Sequence, residues 1–337
     1  MTLCIAWIRK DGDEQELVMA TDSRLTGGES WDSGVKLFEL PRQDCLLCFA
    51  GGTERAYPLI LNTISAIKFD HHLINQHTDV HDILEYLTEL FTDLVTDIKD
   101  IGNQSIDEVR AEAEFIFGGW SWKEKSFGIW RLYYNTGFEA FAYESVNQSD
   151  ARVFTFLGNA GSRDDTQRLV DSAQSALEER LRDAGKLLAG SLDMEPLQVL
   201  TEISRDTSEK FRYVGGAIQL AKVYQSGASE FFGVMWPGLD GQPTFLGRPL
   251  SDEDMPPVRI FDPDTALLIE DNLPERLRVD DNLYGAESDF VADCYPEGLL
   301  DADLSPTKQR RLLRVIQSAA YRKYCDEQNA NQEADNA

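Results

Sequence analysis

The residues best suited to covalent chemistry stand at the start of the chain. Thr2 follows Met1, and methionine aminopeptidases remove Met1 when the next side chain is small. A terminal threonine then carries a hydroxyl nucleophile and, in its own α-amine (pKa ~8), a proton shuttle. Such a hydroxyl needs a cation nearby, a carboxylate to hold that cation and N–H donors for the oxyanion. Asp22 in Ala20-Thr21-Asp22-Ser23-Arg24, Lys36 in Gly34-Val35-Lys36-Leu37 and the backbone of Ala50-Gly51-Gly52 supply these types. Gly51-Gly52 precedes a helix start, where N–H groups point outward and favour an anion. Other groupings are weaker. His71, His72, His77 and His81 crowd one polar connection, without a nearby cysteine to complete a metal site. Cys45-x-x-Cys48 lies in an apolar strand, where alternation sends the two thiols to opposite faces. Asp252-Glu253-Asp254 and Asp262-Pro263-Asp264 lack the twelve-residue calcium-loop pattern. No metal or cofactor is expected.

The elements that must position these residues are legible from hydrophobic period. Strands are predicted at 2–8, 17–21, 35–40 and 45–50, the first two as a hairpin. A helix follows from Thr53, and a second covers 80–98. Strands return at 113–119, 127–134, 138–144 and 153–157. Helices are predicted at 166–188 and 196–210, then a strand at 214–224. Two strand blocks separated by helix pairs suggest an α+β fold, a four-layer αββα sandwich.

At this point the chain resembles the proteasome β-subunit family, including its bacterial branches HslV and Anbu. The matching stretches are Thr2-Leu3-Cys4-Ile5-Ala6, Ala20-Thr21-Asp22-Ser23-Arg24, Val35-Lys36-Leu37 and Cys48-Phe49-Ala50-Gly51-Gly52-Thr53. Weaker matches are Ile116-Phe117-Gly118-Gly119-Trp120, Phe156-Leu157-Gly158-Asn159-Ala160-Gly161 and Val214-Gly215-Gly216-Ala217-Ile218. The resemblance implies an N-terminal-nucleophile hydrolase of the threonine type that cleaves peptide or other amide bonds. Thr2 would be the nucleophile, Lys36 the tuning cation, Asp22 its carboxylate and Gly51 the oxyanion donor. Asn159 would bond the terminal amine. Phe49, with Ser23 and Gly52, would contact the substrate. A peptide or protein substrate and a homo-oligomeric ring are implied, and an AAA+ unfoldase is admitted as partner. The family's Asp-x-x-Ser before the late Gly-Gly reads Phe211-Arg212-Tyr213-Val214 here, and its Gly-Ser-Gly reads Gly158-Asn159-Ala160. These departures motivate the alternative, a non-catalytic assembly or regulatory subunit.

The chain has 337 residues and a formal charge of −27. Such a surface repels phosphates, so neither nucleic acid nor an anionic membrane is expected as partner. Nearly half of the excess falls between Ser251 and Leu304, which hold sixteen acidic and three basic residues. Three segments are therefore expected: a hydrolase domain at 2–225, an acidic extension at 226–326 and a disordered tail at 327–337. The extension should end in a basic helix with Ser305 as N-cap and Pro306 in the first turn. No apolar run approaches the ~20 residues of a membrane span, and no secretory signal is evident. Five cysteines, odd in number and mostly in apolar surroundings, point with this to a reduced cytoplasm.

Overall fold

The computed structural model describes residues 2–268 apart from 12–13, 28, 76, 100–104, 147–151, 161, 188–190, 209, 239–240 and 251–257. Beyond them it describes 273, 275–277, 287–304, 308, 312, 315 and 316. Most of the expected basic helix, the tail 327–337 and Asp252-Glu253-Asp254 lie outside the described residues.

In chain order the elements are β1 (Thr2–Asp11), β2 (Glu14–Thr21), β3 (Leu25–Thr26), β4 (Ser30–Trp31), β5 (Leu37–Glu39) and β6 (Cys45–Gly51). Helices α1 (Thr53–Phe69), α2 (Val80–Thr96) and α3 (Ile106–Arg110) follow. Then come β7 (Ala113–Ser121), β8 (Ser126–Asn135), β9 (Ala140–Ser145), β10 (Phe154–Asn159), α4 (Arg163–Asp183) and α5 (Glu195–Arg205). The first compact unit, residues 1–269, closes with β11 (Gln219–Tyr224), β12 (Ser229–Trp236), β13 (Gln242–Phe245), β14 (Arg248–Pro249), β15 (Ile260–Asp262) and β16 (Leu267–Leu268).

The result is a mixed α+β fold with two large sheets. One runs β10-β1-β2-β11-β12-β13-β14, with β15 beside β12 and β16 beside β15; the other runs β5-β6-β7-β8-β9. Strand alternation explains the burial. Leu3, Ile5 and Trp7 of β1 pack with Leu169, Ala173 and Leu177 of α4 and with Leu197 and Leu200 of α5. The other face of β1, Cys4, Ala6 and Ile8, packs with Leu46, Cys48 and Ala50 of β6. The far face of β6, Cys45, Leu47 and Phe49, packs with Ile60 of α1 and Ile83, Leu87 and Phe91 of α2. Both central strands are thus apolar on two faces, which is why their sequences run nearly without polar residues. Cys45 and Cys48 indeed part to opposite faces.

Helix ends follow local chemistry. Asp79 caps α2 in a capping box with Asp82, and Ser162 caps α4 by accepting from Asp165 N. Helix α5 stops at Arg205, five residues before the predicted end, where Asp206 turns extended. The predicted strand at 214–224 begins only at Gln219, because Gly215 is engaged elsewhere, as described below.

The boundary expected near residue 225 falls inside a hairpin. Strand β12 pairs antiparallel with β11, and Phe232, Val234 and Phe261 join the same cluster as β1 and α4. The Pro-, Gly- and acid-rich composition after Ser226 masked this continuity. The second compact unit, residues 270–337, contains α6 (Ser288–Cys294). Within it Val291, Cys294, Tyr295, Leu304, Leu312 and Val315 form a small apolar cluster. No helix among the described residues is long and apolar enough to cross a membrane.

Candidate active site

Thr2 opens β1 and is 1% exposed. The next peptide N–H, that of Leu3, donates to Asp22 Oδ1 at 3.0 Å. Lys36 Nζ donates to the same oxygen at 2.9 Å. Both side chains of this ion pair are fully buried. The other carboxylate oxygen, Oδ2, accepts from Gly215 N at 3.1 Å and Arg24 N at 3.2 Å. Asp22 therefore gathers four chain segments with four hydrogen bonds. It holds the Lys36 ammonium beside the peptide that follows Thr2.

Burial strips the Lys36 ammonium of water and lowers its pKa from the ordinary lysine value. The Asp22 carboxylate opposes this without cancelling it. Lys36 is thus a cation that binds its proton less tightly than a surface lysine. Arg24 forks onto Asp32, Nε to Oδ1 at 2.6 Å and Nη2 to Oδ2 at 2.9 Å. That fork holds the Asp32 carboxyl below its usual range. Arg24 Nη1 also donates to the Arg212 and Val214 carbonyls. The segment before Gly215-Gly216 thus meets this corner through its backbone, since Phe211-Arg212-Tyr213-Val214 has neither hydroxylic aliphatic side chain nor carboxylate.

Gly51 adopts φ +121°, and a Cβ there would lie 2.0 Å from the Glu112 carbonyl oxygen. No other residue fits this turn. Gly52 N donates to Glu112 O at 3.0 Å, and Gly52 O accepts from Arg55 N and Ala56 N. The Gly52 backbone is therefore engaged in the strand-to-helix turn. Asn159 is half-buried and pairs directly opposite Thr2 on β10. Cys4 Sγ donates to Phe49 O at 3.1 Å, bridging β1 to β6 behind Thr2.

Thr2, Asp22, Lys36 and Asn159 thus converge on one end of β1. Two residues expected to contact substrate are sealed inside. Phe49 is completely buried, its ring against Phe38 and Tyr57. Ser23 is also 0% exposed; its hydroxyl donates to Asp32 O at 2.7 Å.

One participant escaped sequence reading. Gln219 Oε1 accepts from Lys36 N at 2.9 Å and Leu37 N at 3.1 Å. Its Nε2 donates to Gly34 O at 2.6 Å. A polar residue inside Ala217-Ile218-Gln219-Leu220-Ala221 was the available signal, because a buried amide requires partners.

No family model matches the sequence. No curated protein matches it. Among solved structures the chain has a distant likeness to an Anbu (Gly-1) mutant from Hyphomicrobium sp. strain MC1. The identity is 13%, over 68% of this chain and 87% of that one, with a TM-score of 0.43.

Proposed function

We propose that this chain, once Met1 is removed, is a threonine-type N-terminal-nucleophile hydrolase that cleaves peptide or other amide bonds. The observation that supports it most directly is Asp22 Oδ1. That buried oxygen receives both Lys36 Nζ and the N–H next to Thr2. The three clusters of core residues, helix-side, inter-sheet and helix-side, favour the four-layer αββα arrangement for this fold.

In the proposed reaction Thr2 Oγ1 attacks the substrate carbonyl while its α-amine takes the hydroxyl proton. The Lys36 cation lowers the cost of the developing negative charge and keeps the amine neutral. Gly51 N–H is assigned to the oxyanion of the tetrahedral intermediate through the motif resemblance. Collapse breaks the C–N bond, and the leaving amine takes the proton from the Thr2 amine. Water then adds to the acyl ester, releasing the acid and restoring Thr2. Asn159, opposite Thr2 in the ladder, is assigned to hold the amine by a hydrogen bond. Ser23, Gly52 and Phe49 support this corner from inside the fold and do not contact the substrate. A peptide substrate, a homo-oligomeric ring and an AAA+ unfoldase partner belong to this proposal through the motif resemblance, and a cytoplasmic setting through the cysteine usage.

A non-catalytic assembly or regulatory subunit is the alternative that one observation favours. The segment before Gly215 meets this corner through the Arg212 and Val214 carbonyls and carries neither the Asp nor the Ser of the motif. Intact mass and labelling separate the two. The hydrolase requires loss of Met1 and covalent capture of Thr2 by an epoxyketone or β-lactone, with Thr2→Ala unlabelled. A correctly processed chain that both probes leave untouched is the regulatory subunit.

A further inference from the structure

Lys36 sits just ahead of β5, which begins at Leu37. Its backbone is held by one side-chain amide. Gln219 binds the N–H groups of Lys36 and Leu37 and the carbonyl of Gly34. All three bonds go to the short segment that carries the lysine. Gln219 itself opens β11 opposite Thr21, one residue from Asp22. Lys36 is therefore gripped at both ends, its ammonium by Asp22 and its main chain by Gln219.

The roof over Gln219 comes from β13 and β14. Their two-residue turn has Leu246 at φ 49° and Gly247 at φ 83°, a type I′ hairpin. A Cβ on Gly247 would lie 2.5 Å from Ser23 Cβ, 2.9 Å from Ser23 Oγ and 3.3 Å from Gln219 Nε2. The hairpin tip thus touches the two residues flanking the Asp22–Lys36 pair, and it can do so only with glycine there.

We infer that Gln219 is a positioning residue for Lys36, and that the β13–β14 turn holds Gln219 in place; this rests on the threonine-nucleophile proposal. A lysine on four rotatable carbons is placed only if its backbone is fixed. Releasing residues 34–37 lets Nζ withdraw from Thr2 even while Asp22 retains it. The charged and titratable groups around Lys36 are Asp22, Arg24, Asp32 and the Cys4 thiol. Gln219→Met changes none of them, whereas Gln219→Glu adds a carboxylate beside them.

The test uses full-length protein whose Met1 removal is verified by intact mass. The second-order rate of β-lactone labelling is measured against pH and normalised to the folded fraction from circular dichroism. Gln219→Met keeps the length and loses all three bonds. Its labelling rate should fall about tenfold or more. Its rising limb should move to higher pH, because a more distant cation raises the amine pKa. Gln219→Glu retains two acceptor contacts and should recover part of the rate. Gly247→Ala presses on Ser23 beside Asp22 as well as on Gln219 Nε2, so it tests the role of the turn, and it should move the limb in the same direction. Gln219→Asn, one methylene too short to keep these bonds, carries the test should Gln219→Met fail to fold. Folded Gln219→Met, Gln219→Asn or Gly247→Ala with the wild-type rate and profile overturns this inference alone. A wild type with free Thr2 that is never labelled overturns the hydrolase proposal, and this inference with it.

Discussion

A lysine and an aspartate with no solvent contact are costly unless each fully satisfies the other. Removing one partner strands a charge and should cost about 3–5 kcal/mol. Asp22→Asn and Lys36→Met should each show that loss in denaturant unfolding. The double variant Asp22→Asn/Lys36→Met should regain much of it, since no buried charge is left alone. It should still resist β-lactone labelling, because the cation is gone. Recovery of stability together with labelling would remove Lys36 from the chemistry. Asp22 and Lys36 were legible in the sequence because their strands carry short, ordered signatures. Gln219 was not, because its partners lie 182 to 185 positions earlier. No local pattern encodes an amide that mimics a neighbouring strand.

Among the elements, those with strong period were read nearly to their ends, while the segments that serve the site were not. Residues 35–36 and 214–218 were expected as strand but lie outside the ladders, beside bonds to Gln219 and Asp22. Tertiary contacts override propensity at such points. Helix α2 makes a prediction of its own. Burial would raise the Asp79 carboxyl, but hydrogen bonds from the His81 ring and backbone N–H, from Ser121 Oγ and from Lys123 N hold it below its ordinary value. A depressed folded pKa stabilises above the unfolded value and loses that effect as pH falls through the folded one. The stability gap between wild type and Asp79→Asn should therefore be constant near neutrality. It should shrink only below about pH 4 in urea titrations run at each pH. A gap that widens on acidification contradicts the assignment.

At the scale of the molecule, composition divides the chain differently from contacts. The charge excess begins near residue 251, yet the first unit closes at 269. Lys222 shows what the later strands contribute: its ammonium meets Glu16 at 2.9 Å and lies over the rings of Phe232 and Phe261. A chain ended after Tyr224 loses both rings and leaves β11 as a bare edge, so it should aggregate. A chain ended after Leu268 keeps the whole sheet and should remain monodisperse by size-exclusion chromatography, with a single unfolding transition. The four hydrogen bonds on Asp22 also set an order of assembly. Its last ligand, Gly215 N, lies 193 positions downstream, and contacts of such separation close late. The first residues synthesised thus belong to the last part to be completed. A chain emerging from the ribosome therefore carries Thr2 and Asp22 long before the Gly215 N–H that completes the hydrogen bonding of Asp22.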